Sequence, residues 1–502
     1  MTTVVSSTGA AVPPDVPPPV STSRVPPRIG STRGAMVHRT AVARLVDSYR
    51  AIPPGAGVRL AKRTSNLFRP RAAASGPGLD VSGLTGVISL DAEGADGAGG
   101  PTADVQGMCT YEDLVAVTLP KGFMPLVVPQ LRTITLGGAV TGLGIESTSF
   151  RSGLPHESVL EFDVLTGAGD VVTATPRGEH ADLFTGFPNS YGSLGYAVRL
   201  RIQLEPVHPY VALRNVRFSS PEELADAVAL IARERAFDGE EVQFLDGVMF
   251  SATEGYLTLG RWADDVPAAS DYTGSEIYYR SLRDRGRDAL TAHDYLWRWD
   301  TDWFWCSRAF GAQHPLVRRV WPAAKRRSDV YHRMVGLENR YQVAARIDRW
   351  RGRPARERVV QDVEVPVGRT AEFLRWFLDN VPMTPVWICP LRLRSTGGPL
   401  GDLPDGARPW PLYPLRAGET YVNVGFWGTV PIEPGRADGD VNRRLEEALT
   451  GFEGHKSLYS DAYYDEDSFW ARYGGETYPA LKERYDPQAR LLDLYAKAVR
   501  RR

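Results

Sequence analysis

LVVPQLRTITLGGAVTGLGIESTSFRSGLPHESVLEFDVLTGAGDVVTATPRGEHADLFTGFPNSYGSLGYAVRLRIQLEP, residues 126–206, is the stretch on which the fold turns. Glycines fall at 137, 138, 142 and 144, and again at 192 and 195, between short β-branched runs. Glycine tolerates positive φ and lets backbone come close, so several N–H groups can converge on a pyrophosphate. The same spacing marks ordinary β-turns, and by itself it leaves both readings open. Two nucleotide motifs are excluded. Gly142-x-Gly144 is followed by Ser147 with no acid usefully placed downstream, and no Gly-Lys-Ser/Thr occurs anywhere.

Outside this stretch, the totals set bounds. A chain of 502 residues exceeds one typical core, so two domains are expected. With 43% hydrophobic and 24% charged residues the composition is globular, and a net charge of −1 gives no support for nucleic-acid binding. Cysteines at 109, 306 and 389 are too few and scattered for a disulfide framework or a zinc cluster, so no metal is expected. The start of the chain lacks a signal-peptide pattern, and no run reaches the roughly 20 apolar residues of a membrane span. A cytoplasmic protein, soluble or peripheral to a membrane, is the expectation.

Along the chain, residues 1–35 are rich in Pro, Ser, Thr and Val and read as a disordered tail. Residues 37–50 have helical spacing and stop before Pro53-Pro54. Strand-like pieces and a helix from Tyr111 follow, so 36–206 reads as one α+β unit. From 207 to 451 strands alternate with helices. RVVQDVEVPV (358–367), TAEFLRWFLDNV, VWICPLRLR and TYVNVGFWG suit an antiparallel sheet with helices on it. Residues 452–502 read as a segment returning to the first unit.

Several pieces resemble one superfamily. They are the run from Pro129 to Gly144, Gly144-Ile-Glu-Ser147 with Ser149, Ser152-Gly-Leu154, Asp182-Leu-Phe184 and Gly192-Ser-Leu-Gly195. Far downstream come Val360-Gln-Asp-Val-Glu-Val-Pro366, Pro385-Val-Trp-Ile-Cys-Pro390 and Leu458-Tyr-Ser-Asp-Ala-Tyr463 with Phe469-Trp470. Together they resemble the vanillyl-alcohol-oxidase/PCMH-type FAD-binding superfamily, on its Δ24-sterol reductase (seladin-type) branch. The resemblance implies an α+β, two-domain PCMH-type FAD-binding fold with an antiparallel substrate or cap domain. It also implies FAD, with NADPH as electron donor, and an oxidoreductase that places hydride and a proton across an unactivated C=C bond of a lipid.

On that resemblance, the residues around the flavin are Arg63, Thr64, Ser65, Asn66, Pro129, Thr135, Gly137, Gly138, Gly142, Gly144, Ile145, Ser147, Gly195 and Val198. No histidine lies between 39 and 155, and Cys109 is out of place for a covalent link, so non-covalent FAD is expected. An isolated alkene has no carbonyl to polarise it, so its reduction needs a positioned acid in a dry site. The candidates are Tyr459, Asp461, Tyr463 and Glu146, and each also has a purely structural explanation. His156 reads as a surface residue.

Residues 295–327 hold five of the twelve tryptophans, beside six arginines and a lysine. Trp with Arg suits a membrane–water boundary, and equally a helical aromatic core with a solvated basic face. The first reading gives a mouth that docks on anionic lipid. The substrate expected is a methylene-branched fatty acyl chain or a sterol. Two alternatives stay open: an FAD-dependent oxidase or dehydrogenase of a sugar, alditol or sugar-lipid, and a non-catalytic lipid-binding scaffold. Oligomeric state is not legible.

Overall fold

The structure, a computed structural model, describes residues 32–62, 68, 77–94, 99–274 and 276–499. Most of the expected N-terminal tail, and the expected phosphate-loop residues Arg63, Thr64, Ser65 and Asn66, lie outside them. Residues 32–35 belong to the first helix, Thr32–Arg50, rather than to a tail. That helix buries Ala41, Leu45 and Tyr49, three or four residues apart on one face, and ends just before the Pro53-Pro54 pair.

Two antiparallel sheets carry the fold. The first contains β1 (Val87–Asp91), β2 (Thr102–Gln106), β3 (Phe123–Pro125), β4 (Val159–Thr166), β5 (Val171–Ala174) and β6 (Gly195–Pro206). Their order is β1-β2-β6-β4-β5, with β3 on the far end of the long β6. Arg199 of β6 is buried between Asp104, Glu161 and Asp163 of the flanking strands. Three carboxylates around one guanidinium hold the centre of this sheet in register.

The chain leaves β6 and enters the second sheet at β7 (Tyr210–Phe218). A short ribbon of β8 (Ala236–Phe237) and β9 (Glu240–Glu241) stands apart. Then come β10 (Phe244–Ser251), β11 (Glu254–Ala263), β12 (Arg287–Thr291), β13 (Arg356–Pro366), β14 (Val386–Arg392), β15 (Thr420–Pro431) and β16 (His455–Lys456). The eight-stranded order is β12-β7-β11-β10-β14-β15-β13-β16.

Strand periodicity decides which way each side chain of this sheet faces. Val359, Val363 and Val365 of β13, Ile388 of β14 and Val422, Val424 and Phe426 of β15 share a core with Phe373, Leu374 and Phe377 of helix Val367–Asn380. Leu224, Val228 and Ile231 of helix Pro221–Glu234 complete it. Ser220 caps that helix, its hydroxyl accepting the Glu223 N–H. The alternate positions Asp362, Glu364, Trp387, Asn423, Gly425 and Trp427 therefore face the opposite side, toward the first sheet.

Between the sheets lies the aromatic segment. Trp297, Trp299, Trp303 and Trp305 are all buried, so they do not form the lipid-docking mouth expected of 295–327. Arg298 explains why the basic residues there are no guide to a surface. It is itself buried, donating to Asp246 of β10 at 2.9 Å and to Glu146 at 3.1 Å. Trp299 and Trp387 also donate to Asp246, at 2.9 and 3.2 Å. Of the apolar side chains in 295–327, only Leu316 and Val320 stand out as large and exposed.

The C-terminal segment first pairs with the second sheet, β16 against β13. It then crosses to the first half. Helix Tyr478–Tyr485 lies on helix Ala181–Gly186. Lys482 Nζ donates to the Ser193 carbonyl at 2.9 Å, and Lys497 Nζ to the Gly192 carbonyl at 2.6 Å.

Candidate active site

A cleft of about 2130 Å³ runs between the two sheets. Ligand pockets ordinarily measure about 300–1000 Å³, so this one has room for a large cofactor and a second molecule together. Its two ends differ in chemistry.

One end is built by the glycine-rich stretch. Pro129, Thr135, Gly137, Gly138, Gly142, Gly144, Ile145 and Gly195 all line it. Thr135 caps the short helix Leu136–Gly142, its hydroxyl accepting the Gly138 N–H at 3.2 Å. Lys62 Nζ lies 3.4 Å from that same hydroxyl. The helix-start N–H groups are already taken, Leu136 by the Cys109 carbonyl, Gly137 by Gly107 and Gly138 by Thr135, so the Lys62 ammonium and the Thr135 hydroxyl are the donors here suited to phosphate oxygens. The glycines serve this wall chiefly by letting it close on itself. A Cβ on Gly137 would meet the Gly107 carbonyl at 2.7 Å, and one on Gly144 would meet Pro129 Cγ at 2.6 Å.

The other end is aromatic. Phe68, Trp303, Phe304, Trp387 and Trp427 line it, with Phe304 and Trp427 ring centroids 4.4 Å apart. Polar side chains interrupt this surface, among them Tyr459, Asp362, Ser457 and His332, whose ring packs against Phe68 and Trp303. Trp427 Nε1 donates to Tyr459 Oη at 2.8 Å, and Tyr459 is hydrogen-bonded to the Asp362 carboxyl. Asn423 Nδ2 donates to Asp362 Oδ1 at 3.2 Å. Gly425, opposite Asp362 in the β13–β15 register, leaves the room: a Cβ there would meet Asp362 Oδ1 at 2.5 Å and the Trp427 ring at 2.6 Å.

Burial moves both protons upward. It pushes the Asp362 carboxyl up to about 6, against the partial relief of the Tyr459 and Asn423 hydrogen bonds. It pushes the Tyr459 phenol well above its ordinary value, and the nearby Asp362 charge adds to the rise. Glu364, two residues along β13, is also raised well above the ordinary range by burial and then by Asp362.

Residues 55–175 match the family described as "FAD binding domain". They are an FAD-binding domain. The likeness to PCMH-type FAD-binding proteins and to Δ24-sterol reductases therefore holds. The Δ24-sterol reductase of Mus musculus is 26% identical over 407 residues, covering 78% of this chain and 73% of that protein. The Δ24-sterol reductase of Arabidopsis thaliana is 25% identical over 445 residues, covering 80% and 74%. Cytokinin dehydrogenase 6 of Oryza sativa subsp. japonica is 30% identical over 187 residues, covering 37% and 33%. The polar end of the cleft belongs to the FAD-binding domain, and its donors fit the pyrophosphate of that cofactor.

Among the described residues, Ser147, Val198, Glu146, Asp461 and Tyr463 do not reach the cleft lining. Ser147 is buried, bonded to Glu146 at 2.7 Å and to Tyr295 at 2.9 Å. Val198 is in the core under helix Thr32–Arg50. Glu146 is taken up by Arg298, and burial raises its carboxyl. Asp461 is paired with Arg358 at 2.8 Å. The Tyr463 N–H donates to Glu446 at 3.0 Å, with its ring under Arg443. His156, expected on the surface, is buried edge-on to Trp410, and burial lowers its pKa to about 3.

Lys62 and Asp362 are the residues that sequence reasoning missed. Lys62 had a signal, being one of six lysines in the chain and adjacent to the expected phosphate loop. Asp362 sat inside the quoted RVVQDVEVPV strand, an acid between valines at an inward position. No helix among the described residues is long and apolar enough to cross a membrane, and no cluster of metal-ligating side chains occurs among them.

Proposed function

We propose that this FAD-dependent oxidoreductase reduces an unactivated C=C bond of a lipid, with Tyr459 delivering the proton. The observation that carries the reading is the Tyr459 hydroxyl, set in the aromatic end of a cleft whose other end suits a pyrophosphate. FAD, when bound, would supply hydride for one alkene carbon, and NADPH would be its reductant. Lys62 and Thr135 would hold its phosphates, and Pro129, Gly137, Gly138, Gly142, Gly144, Ile145 and Gly195 would shape the wall beside it. The cofactor is held without a covalent bond, and Cys109 is buried in the core.

A phenol alone is a weak acid for an alkene carbon. Trp427 Nε1–H stabilises charge on Tyr459 Oη, and protonated Asp362 returns a proton to that oxygen as it leaves. Tyr459 and Asp362 are half-buried and open on the cleft, so an apolar substrate lying against the aromatic walls would be what shields the pair from water. Such positioned proton transfer contributes about 10²–10⁴ in rate. Proteins named Δ24-sterol reductase are among those similar to this chain, which supports a lipid alkene. The substrate proposed is a methylene-branched fatty acyl chain or a sterol.

The test is an anaerobic titration followed by product analysis. NADPH should bleach the flavin absorption. Addition of a 10-methylene acyl lipid or a Δ24-sterol should restore it, with a product two hydrogens heavier by mass spectrometry. Bleaching by a polyol, with none by NADPH, would replace this reading with the oxidase one.

A further inference from the structure

Eleven large hydrophobic side chains are exposed among the described residues, and six of them lie between 316 and 350. They are Leu316, Val320, Leu337, Tyr341, Ile347 and Trp350, the last 84% exposed. They occupy three successive helices, Pro315–Val320, Ser328–Tyr341 and Val343–Trp350. Within each helix the two members are three or four residues apart, so each helix turns its pair to one side.

Charge is segregated in the same place. Residues 315–353 contain eleven Arg and Lys against three Asp and Glu; Arg318 is buried against Asp302 and Arg326 and Arg327 are half-buried, and the other eight are exposed. Arg346, Arg349 and Arg351 flank Ile347 and Trp350 and are all exposed. Apolar tips set among basic side chains match the boundary between anionic headgroups and hydrocarbon. A second copy of the same surface would be repelled by like charge, and a nucleic acid would have no use for Leu, Val and Ile side chains.

The patch is continuous with the cleft. Asp329, His332, Arg333, Gly336, Leu337 and Arg340 of helix Ser328–Tyr341 line it. Leu337 is at once a lining residue and 58% exposed, which puts it at the mouth.

We propose that the helices spanning 315–350 seat the protein on an anionic lipid bilayer, with the cleft mouth toward the membrane. An acyl chain or sterol then enters the cleft from the bilayer without crossing water. The docking rests on the surface alone, and the entry of substrate rests on the lipid reading above.

Co-sedimentation of the full-length, FAD-loaded chain with vesicles tests it. Binding to phosphatidylglycerol vesicles is expected to exceed that to phosphatidylcholine vesicles about tenfold or more and to weaken with added salt. The double variant Ile347→Asp/Trp350→Asp and the triple variant Arg346→Glu/Arg349→Glu/Arg351→Glu should each lower that binding about tenfold. Both should keep the flavin spectrum and the reduction of detergent-dispersed substrate, while losing turnover of substrate presented in vesicles. Failure of the parent chain to bind anionic vesicles overturns the proposal, as does undiminished binding by both variants. So does a patch that proves to hold a second copy or a nucleic acid in place of vesicles. Vesicle binding that survives alongside inactivity on every lipid alkene would sink the catalytic reading and leave the docking surface standing.

Discussion

At the scale of single residues, the proposed chemistry turns on one hydroxyl and one carboxyl. Replacing Tyr459 by Phe keeps the ring against Phe68 and removes only the O–H. Flavin bleaching by NADPH should be unchanged, while reoxidation by the alkene should slow about 10²–10⁴-fold in stopped flow. If both half-reactions keep their rates, Tyr459 is not the proton source. Asp362 sets the pH dependence. Its carboxyl is raised to about 6, so the protonated form that refills Tyr459 is lost as pH rises through that value. The alkene half-reaction should therefore fall on the alkaline side of about pH 6, and Asp362→Asn, which cannot ionise, should flatten that limb. The same raised carboxyl favours folding at low pH, and this contribution fades between the unfolded value and about 6. Tyr459 was legible in the sequence as a member of a short aromatic–acid block. Asp362 was not, because an acid inside a valine-rich strand gains meaning only once the partner strand supplies Trp427 and Asn423. Glu146 illustrates the reverse. It stands beside the glycine loop in sequence, yet its charge is spent on Arg298, 152 residues away.

At the scale of elements, strands were the most readable part, because period-two alternation is a local signal. The segments read at 358–367, 386 onward and 420 onward correspond to β13, β14 and β15, and they build the cleft floor. Helices 315–350 were foreseen only in part, since the segment read as lipid-facing or helical ended at 327. Arginine crowds their apolar positions, and the tryptophans just upstream drew attention to side chains that are buried. A long-range network around Asp246 buries those tryptophans, and such pairing leaves no trace in spacing. The strand pair also carries a sharp constraint. Gly425→Ala pushes a methyl into Asp362 Oδ1 and the Trp427 ring, both held from behind by packed strands. Overpacking of this sort costs about 1–3 kcal/mol. Chemical denaturation should show that loss, and the Asp362-dependent limb of the pH profile should shift or vanish with it. A variant as stable as the parent, with an unaltered profile, would mean that the floor yields and that Asp362 is less tightly placed than its neighbours indicate.

At the scale of the molecule, one apolar core joins the two sheets: Val105, Leu136 and Phe162 of the first half belong to the same cluster as Trp387, Tyr421 and Phe469. The C-terminal segment stitches the halves again through Lys482 and Lys497, both donating to the 191–193 turn. A ligand lying along the cleft touches both halves, so its binding energy should appear in the stability of the whole chain and not of one domain. Only the native state offers Lys62, Thr135 and the aromatic end together, so bound FAD stabilises by mass action. Stripping FAD with chaotropic salt should be possible if the cofactor is not covalently tethered, and it should lower Tm. Each tenfold excess of added FAD beyond its Kd contributes about 1.4 kcal/mol, which for a chain of this size corresponds to roughly 1–2 °C. Calorimetry across a series of FAD concentrations should then show one transition moving upward steadily. A second, FAD-insensitive transition would mean that the sheets unfold apart despite their shared core. A single transition indifferent to FAD would remove the cofactor from this cleft, and with it the assignment of Tyr459 as its chemical neighbour.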